Sequence, residues 1–412
     1  MKQVRRYCLA AGLLTTMAAV PGIASCNIQL TRGYIGLEGY LYPRDSEADQ
    51  KHGNLAVVTS MEWGGALGRD TDFRLRPLAR FDTIDQKRNK LDLQDAYIER
   101  TMGRWNALAG MRMVSWSVTE TVNVIPHEVV DIINQRDLAA DPAGKEKLGT
   151  PMFGLIYNGD RVYVEGYVLP YFRERLFPSV QAREHPFQGR VDLRNADTRY
   201  TSGSEQWRPG YALRVELVTG SVNAAFIQYR GYQPQPLVDV DNVGEANQLY
   251  YLVNLSAVTV QAALGSWLLK TETGYFNTHL NNNGFEIPSN YWSAVTGFEY
   301  TFIRPEARPD ISAILEWMYD TRGDGRLGVQ FQNDVFAGFR WVANDLFSSE
   351  AILGVVSDLH GRGDIYHAQY QRRLADSWYL KLVGRLYSAQ RDTALHAFEK
   401  DTMLYAKIKY SF

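Results

Sequence analysis

Cysteine is nearly absent from this chain of 412 residues, which has only Cys8 and Cys26. A disulfide framework is therefore excluded, since Cys8 falls inside an amino-terminal leader. Long apolar runs are missing too: the one apolar stretch, 8–20, is shorter than the roughly 20 residues a membrane helix needs. No charge of one sign dominates, because 44 Lys and Arg stand against 46 Asp and Glu for a net −2. That balance speaks against nucleic acid or another polyanion as partner. No linker, low-complexity tract or shift in composition divides the chain. P-loop, dinucleotide and zinc spacings are lacking, so no cofactor and no metal are expected.

What is present begins with Lys2, Arg5 and Arg6, then the apolar stretch, then small residues at Gly22, Ala24 and Ser25. This order describes a secretory signal over 1–25, leaving 26–412 as one domain. Ile23-Ala24-Ser25-Cys26 also fits the pattern at which lipoprotein signals are cut, which makes Cys26 a candidate for lipidation. The alternative is ordinary cleavage near Ala24 or Ser25.

The 25 Tyr, 17 Phe and 9 Trp crowd the ends of segments that alternate apolar and polar residues. Aromatic girdles at two membrane interfaces produce that distribution. Eighteen such segments can be traced, each of about ten residues. In 71–83, Phe73, Leu75, Ala79 and Phe81 face one way and Arg74, Arg76, Arg80 and Asp82 the other. In 334–343, Val335, Ala337, Phe339 and Trp341 oppose Arg340. At about 3.3 Å per residue and a tilt near 40°, such strands span an apolar band of about 25 Å. Connections alternate between long ones (43–53, 116–149, 172–207, 232–247) and short ones such as 103–104, 158–160 and 220. A soluble sandwich has no reason to keep that alternation.

The final strand carries the strongest sign. Leu404, Ala406, Ile408, Tyr410 and Phe412 share one face, and Tyr405, Lys407, Lys409 and Ser411 the other. This ending resembles the last strand of bacterial outer-membrane β-barrels, whose terminal aromatic residue is read by the barrel-assembly machinery. The resemblance implies that Tyr410 and Phe412 form an assembly signal. The expected fold is all-β: a transmembrane antiparallel barrel of about eighteen strands, with sixteen as the alternative. An even count puts both termini on the same, periplasmic, side.

Two inserts interrupt the pattern. In 116–149, Pro126, Glu128 and Asp131 suit a helix start. Val129, Val130, Ile132 and Ile133 would then form one apolar side, and Asp141-Pro142-Ala143-Gly144 a stop. The expectation is a short amphipathic helix, folded into the lumen or resting on the rim. The stretches Asp95–Arg100, Ala109–Trp116 and Asp131–Leu138 resemble a proteobacterial family of uncharacterised outer-membrane barrels. In that family a Gly-Lys-Gln strand leads through Trp-Gly to an Asp-Val-x-Asn-Pro-x-Asp-Leu loop. This sequence departs with Met111-Arg112, Ser117 and Gln135. The resemblance implies barrel and transport but names no solute. The second insert, 172–207, is polar and Arg-rich and reads as an external loop without recognisable chemistry.

An enzyme barrel is the rival class. No His-x-Ser occurs among the seven histidines, which argues against a phospholipase-like barrel. Asp358-Leu359-His360 has the Asp-x-His spacing of an omptin-like protease, with Asp239-Val240-Asp241 as a candidate acidic pair. Asp320 and Asp324 lie in a Gly-rich tip that lacks the full ligand set of a calcium loop.

The residues therefore point to a channel that passes small or medium solutes. A conduit for amphiphiles, served by a periplasmic partner, is the alternative. Period-two assignment turns Arg74, Arg76, Arg80, Arg340, Arg373, Lys381, Arg385, Lys407 and Lys409 toward the lumen. On the lipid face each such charge would cost about 2–4 kcal/mol near mid-membrane. Asp95, Glu99 and Glu316 also face inward, and Arg112, Arg136 and Asp137 are candidates at the insert. These acids could pair with part of the arc, which leaves two readings: a mutually neutralised, solvated wall, or an uncompensated basic strip that favours anions, to which the excess of basic residues inclines. Expected partners are outer-membrane lipids, the assembly machinery and small solutes, with further copies of the chain as an additional one.

Overall fold

Each alternating segment has one face that water rejects and one that lipid rejects, and a closed sheet satisfies both. The structure, a computed structural model, describes residues 28–412 apart from 47, 49, 84, 86–87, 120–128, 139–145, 242–243, 279–284, 303–308, 324–330 and 392. The leader, Cys26, Pro126 and Asp324 lie outside the described residues.

Among the described residues, twenty-one strands follow in chain order. The first seven are β1 (Gln29–Leu41), β2 (Gly53–Ala66), β3 (Thr71–Asp82), β4 (Lys90–Met102), β5 (Trp105–Arg112), β6 (Thr150–Asn158) and β7 (Val162–Leu169). Then come β8 (Asp197–Tyr200), β9 (Gly210–Thr219), β10 (Val222–Tyr232), β11 (Leu237–Val240), β12 (Ala246–Tyr250), β13 (Leu252–Leu264) and β14 (Trp267–Thr278). The last seven are β15 (Tyr291–Phe302), β16 (Asp310–Asp320), β17 (Asn333–Val342), β18 (Glu350–Asp358), β19 (Gly363–Ala375), β20 (Trp378–Ala389) and β21 (Met403–Ser411).

Eighteen of these form one antiparallel sheet, which closes where β1 pairs with β21 from Tyr34 opposite Ser411 to Leu41 opposite Leu404. Closure leaves no sheet edge unsatisfied, the condition for crossing hydrocarbon with strands. The other three, β8, β11 and β12, make a small separate sheet with β12 parallel to β8. The stretch 249–260 is divided between two elements: β12 serves the small sheet and β13 the wall.

The alternation is realised in three dimensions. On β1, Ile35, Leu37 and Leu41 are about half exposed while Glu38 and Tyr40 are buried. On β17, Phe339 is exposed and Arg340 points inward to Glu299. Leu353, Leu386, Leu404 and many like them continue an exposed apolar belt around the wall. A contiguous apolar surface on this scale is incompatible with water and suited to lipid.

Aromatic pairs edge the belt. Beside the tight turns at Gly103 and Gly265, both in the left-handed region, Trp105 packs on Tyr157 at 4.9 Å and Trp267 on Tyr300 at 4.6 Å. Trp378 packs on Tyr410 at 5.1 Å at the same end. Toward the other end Tyr275 meets Trp292 at 4.9 Å and Trp317 meets Tyr319 at 5.3 Å. Amphipathic rings at these two levels match two membrane interfaces.

The expected helix is absent from the described part of the first insert. Residues 129–138 form bends and isolated bridges, with Arg136 facing Lys147 and Asp137 facing Leu176. Four β-branched residues within five positions lose side-chain freedom in a helix, and burial against the wall does not require one. Val129, Val130, Ile132 and Ile133 are buried, in one apolar cluster with Trp116 and with Tyr251, Val253, Leu255 and Phe276 of the wall.

A candidate channel lumen between a basic arc and two inserts

The first insert is held by polar clasps at both edges. Asn134 Nδ2 donates to the carbonyls of Arg112 (3.0 Å) and Leu148 (2.8 Å), and its Oδ1 accepts from Val114 N–H at 2.7 Å. Glu272 of β14 accepts at one oxygen from Ser117 Oγ and from the N–H groups of Val118 and Thr119. Trp116 Nε1 donates to Glu165 of β7. Lys90 pairs with Asp137, and Lys147 with Asp131. These bonds tie the insert to β4–β7 and to β14, and its apolar residues share a buried cluster with Val253 and Leu255 of β13.

The opposite arc, formed by β19, β20, β21, β1 and β3, remains open. A cavity of about 560 Å³ lies along it. Its lining includes the inward-facing Arg80, Arg373, Lys381, Arg385, Lys407 and Lys409, against the carboxylates of Glu38, Glu146 and Glu184. Strand register explains the convergence. One row across the wall reads Glu38, Lys407, Lys381, Gln371, Glu350 from β1 to β18. The next row reads Gly36, Lys409, Tyr379, Arg373.

Part of the basic character is compensated. Glu38 binds Arg80 (2.9 Å) and Lys407 (2.7 Å) at once. Arg76 pairs with Asp95, Arg74 with Glu62 at 3.5 Å, and Arg340 with Glu299 at 2.9 Å. Pairing of this kind is what the inward acids of the sequence allow for, and it involves Asp95, Glu38, Glu62 and Glu299. Opposite charges on neighbouring strands neutralise much of β3 and β17. Arg373 lies over the Tyr379 ring at 5.5 Å, and Lys409 over both Tyr34 (5.4 Å) and Tyr379 (4.7 Å). Rings weaken the repulsion without cancelling the charge.

Other candidates sit away from this cavity. Arg136 and Asp137 are buried within the first insert. Arg112 lies 3.7 Å from Glu99 and over the Tyr97 ring, and Glu316 is buried against Lys270 at 3.1 Å. Asp358 is bound by His360 and Arg362, both at 3.3 Å. Asp239 and Asp241 lie at the small sheet, Asp239 within β11 and Asp241 just after it. Asp320 is bound by Arg322 at 2.8 Å.

The second insert, expected to be an external loop without chemistry, supplies Glu184 to the lining of the cavity. Residues between β7 and β9 latch onto the loops around Tyr42 and Asp401. Arg183 Nε donates to Asp401 at 2.7 Å, Arg183 Nη1 to the Arg44 carbonyl at 3.0 Å, and its guanidinium lies over the Tyr42 ring at 5.0 Å. Glu184, in the left-handed region at φ 56°, donates its N–H to Asp401 at 2.8 Å. Its carboxylate then accepts from Tyr387 at 3.1 Å and lies 3.5 Å from Arg385. Burial raises the Asp401 carboxyl although Arg183 opposes that shift. Burial also lowers the fully enclosed His185 imidazole to about 4. No local pattern marks Arg183, Glu184 and Asp401, because their partners lie more than a hundred positions away.

At the closure seam, Gly33 and Phe412 exchange backbone hydrogen bonds of 2.8 and 3.0 Å. A Cβ at Gly33 would come within 2.6 Å of the Phe412 ring, so the terminal aromatic rests on a residue without a side chain.

No family model matches the chain, and no curated protein matches it. Solved structures do. The chain is similar to Acinetobacter baumannii OccAB4, with TM-score 0.53, 10% identity, and 93% of this chain covered against 99% of that one. It is likewise similar to Pseudomonas aeruginosa OccK11, with TM-score 0.52, 9% identity, and coverage of 92% and 95%. Similarity over whole chains at such low identity speaks to fold, and it agrees with the closed eighteen-strand wall, the apolar belt and the inward charges. By its fold, the chain is a porin-like β-barrel of the outer-membrane type.

Proposed function

We propose that this barrel is a passive channel of the bacterial outer membrane, passing small solutes with a preference for anions. The observation that carries the reading is the cavity along the arc of β19–β21, β1 and β3, with seven Lys and Arg residues, Arg372 among them, and three carboxylates in its lining. A low-dielectric wall focuses the field of such a surplus into the passage. A barrel this wide exceeds what wall side chains alone can fill, and the two inserts narrow it. Both termini face the periplasm in this reading, and the inserts face outward. The apolar region of the lumen is occupied by Trp116, Val129, Val130 and Ile132, which leaves the polar arc as the route and disfavours an amphiphile conduit.

Reversal potentials of the refolded protein in a planar bilayer under a potassium chloride gradient test the proposal. Chloride is expected to be favoured, and replacing Arg373 and Arg385 by Gln is expected to move the potential toward potassium. A wild-type channel that prefers potassium overturns the anion preference.

A further inference from the structure

The outward side of the wall is not uniform. At the strand ends that carry the inserts, most strands turn an apolar residue outward: Leu41, Phe81, Phe153, Leu386 and Leu404 are each about half exposed or more. Three neighbouring strands differ. Arg230 of β10 is exposed and lies in register between Tyr211 of β9 and Asn254 of β13, and Asn254 faces the exposed Asn277 of β14. The next row reads Gln228, Ser256, Tyr275, Trp292, and Ser256 Oγ donates to Gln228 Oε1 at 2.8 Å. Alternation fixes the facing, because Tyr229, Leu255 and Phe276 between these residues are buried in the interior cluster. Tyr275 and Trp292 pack together in the aromatic girdle, so Arg230, Asn254 and Asn277 stand about 7 Å beyond it, at headgroup level. Among the described residues no carboxylate pairs with Arg230. An outward cation costs little at this level and gains from an anion beside it.

We propose that Arg230, Asn254 and Asn277 form a polar notch that binds the phosphate of an outer-leaflet glycolipid. The site rests on the orientation in the proposed function, with the inserts facing outward, and not on the ion preference. The planar guanidinium fork matches two phosphate oxygens, and amide N–H groups supply further donors. Leu213 and Phe226, exposed on the same outward face nearer mid-membrane, offer contact to an acyl chain. A second copy of the chain fits this face less well, since a two-fold axis would bring two copies of Arg230 together.

The test uses the full-length refolded barrel in detergent micelles, with native mass spectrometry counting bound lipid as its concentration rises. The probe is lipid A with both phosphates, compared with its dephosphorylated form and with phosphatidylglycerol. The wild type should bind phosphorylated lipid A at least tenfold more tightly than either comparison. Arg230→Gln should weaken that binding at least fivefold. Arg100→Gln, which changes an exposed arginine at the opposite rim, should leave it unaltered. Equal binding of the phosphorylated and dephosphorylated forms, or equal loss in the two variants, overturns the site. Phosphatidylglycerol bound as tightly as lipid A overturns the glycolipid as its occupant. Loss confined to Arg100→Gln overturns both the site and the orientation on which it rests. Should Arg230→Gln assemble poorly, Asn277→Leu, with a loss of at least threefold, decides the question.

Discussion

Replacing Glu38 by Gln isolates the electrostatics of the lumen better than any other single change. Glu38 is 4% exposed and holds Arg80 at 2.9 Å and Lys407 at 2.7 Å. Gln keeps the shape and one acceptor but removes the charge, leaving Arg80, itself 1% exposed, beside a cation. Breaking a buried ion pair from one side costs about 3–5 kcal/mol. Lys407 is about one-fifth exposed to the cavity, so about 3 kcal/mol is the better figure. The barrel should therefore lose its compact, heat-modifiable gel form at a temperature roughly 5 °C lower or more. At the same time the lining loses one of its three carboxylates, so chloride preference should rise. The companion change Arg80→Gln breaks the same pair and should destabilise similarly, but it must shift selectivity toward potassium. Opposite shifts in reversal potential with parallel losses of stability separate charge from general damage. If both variants keep the wild-type melting temperature and reversal potential, Glu38 is not the shared counter-ion of this wall.

Three further outcomes follow from the latch and the seam. Arg183→Ala removes the partner that holds Asp401 at 2.7 Å, so the second insert should release. Single-channel conductance should then rise severalfold while the strand ladder keeps its thermal midpoint. His185, lowered by burial to about 4, binds its proton more weakly in the docked insert than in solvent. The docked state therefore has its full stability above about pH 6.5 and loses up to about 3 kcal/mol as pH falls to 4. Conductance should increase over that interval, and His185→Gln should flatten the increase. Removing Tyr410, Ser411 and Phe412 deletes the Trp378 stack and the Gly33 hydrogen bonds, and membrane fractions should contain much less folded barrel.

Strand order and facing were legible in the sequence because each depends on residues two apart. Phe339 and Arg340 could be assigned to opposite faces from neighbours alone, and the closure of Leu404 to Ser411 against β1 followed from the need to leave no edge. The inserts were legible only in part. Val129, Val130, Ile132 and Ile133 announced burial correctly, but an apolar cluster at those spacings packs equally well in extended bends, and β-branching favours the latter. The 172–207 segment reads as a polar loop because its Arg and Glu residues look solvated until Asp401, Tyr42 and Arg385 are brought to them. Which charges pair was not legible for the same reason: pairing between strands, as in Arg76 with Asp95, depends on register and insert position rather than on count. The resemblance to an uncharacterised barrel family gains no support from a family model.

The central claim is that the arc around Lys381 lines the route of conduction, whereas the inward face of β13 is sealed beneath the first insert. Thiol accessibility tests it most directly, using Lys381→Cys and Thr259→Cys in a background with Cys26 replaced by Ser. Thr259 faces inward but is 2% exposed. A membrane-impermeant thiol reagent should modify Lys381→Cys rapidly and reduce its current, while Thr259→Cys stays unmodified over the same period. Equal modification at both positions, or rapid modification at Thr259→Cys alone, would contradict the account.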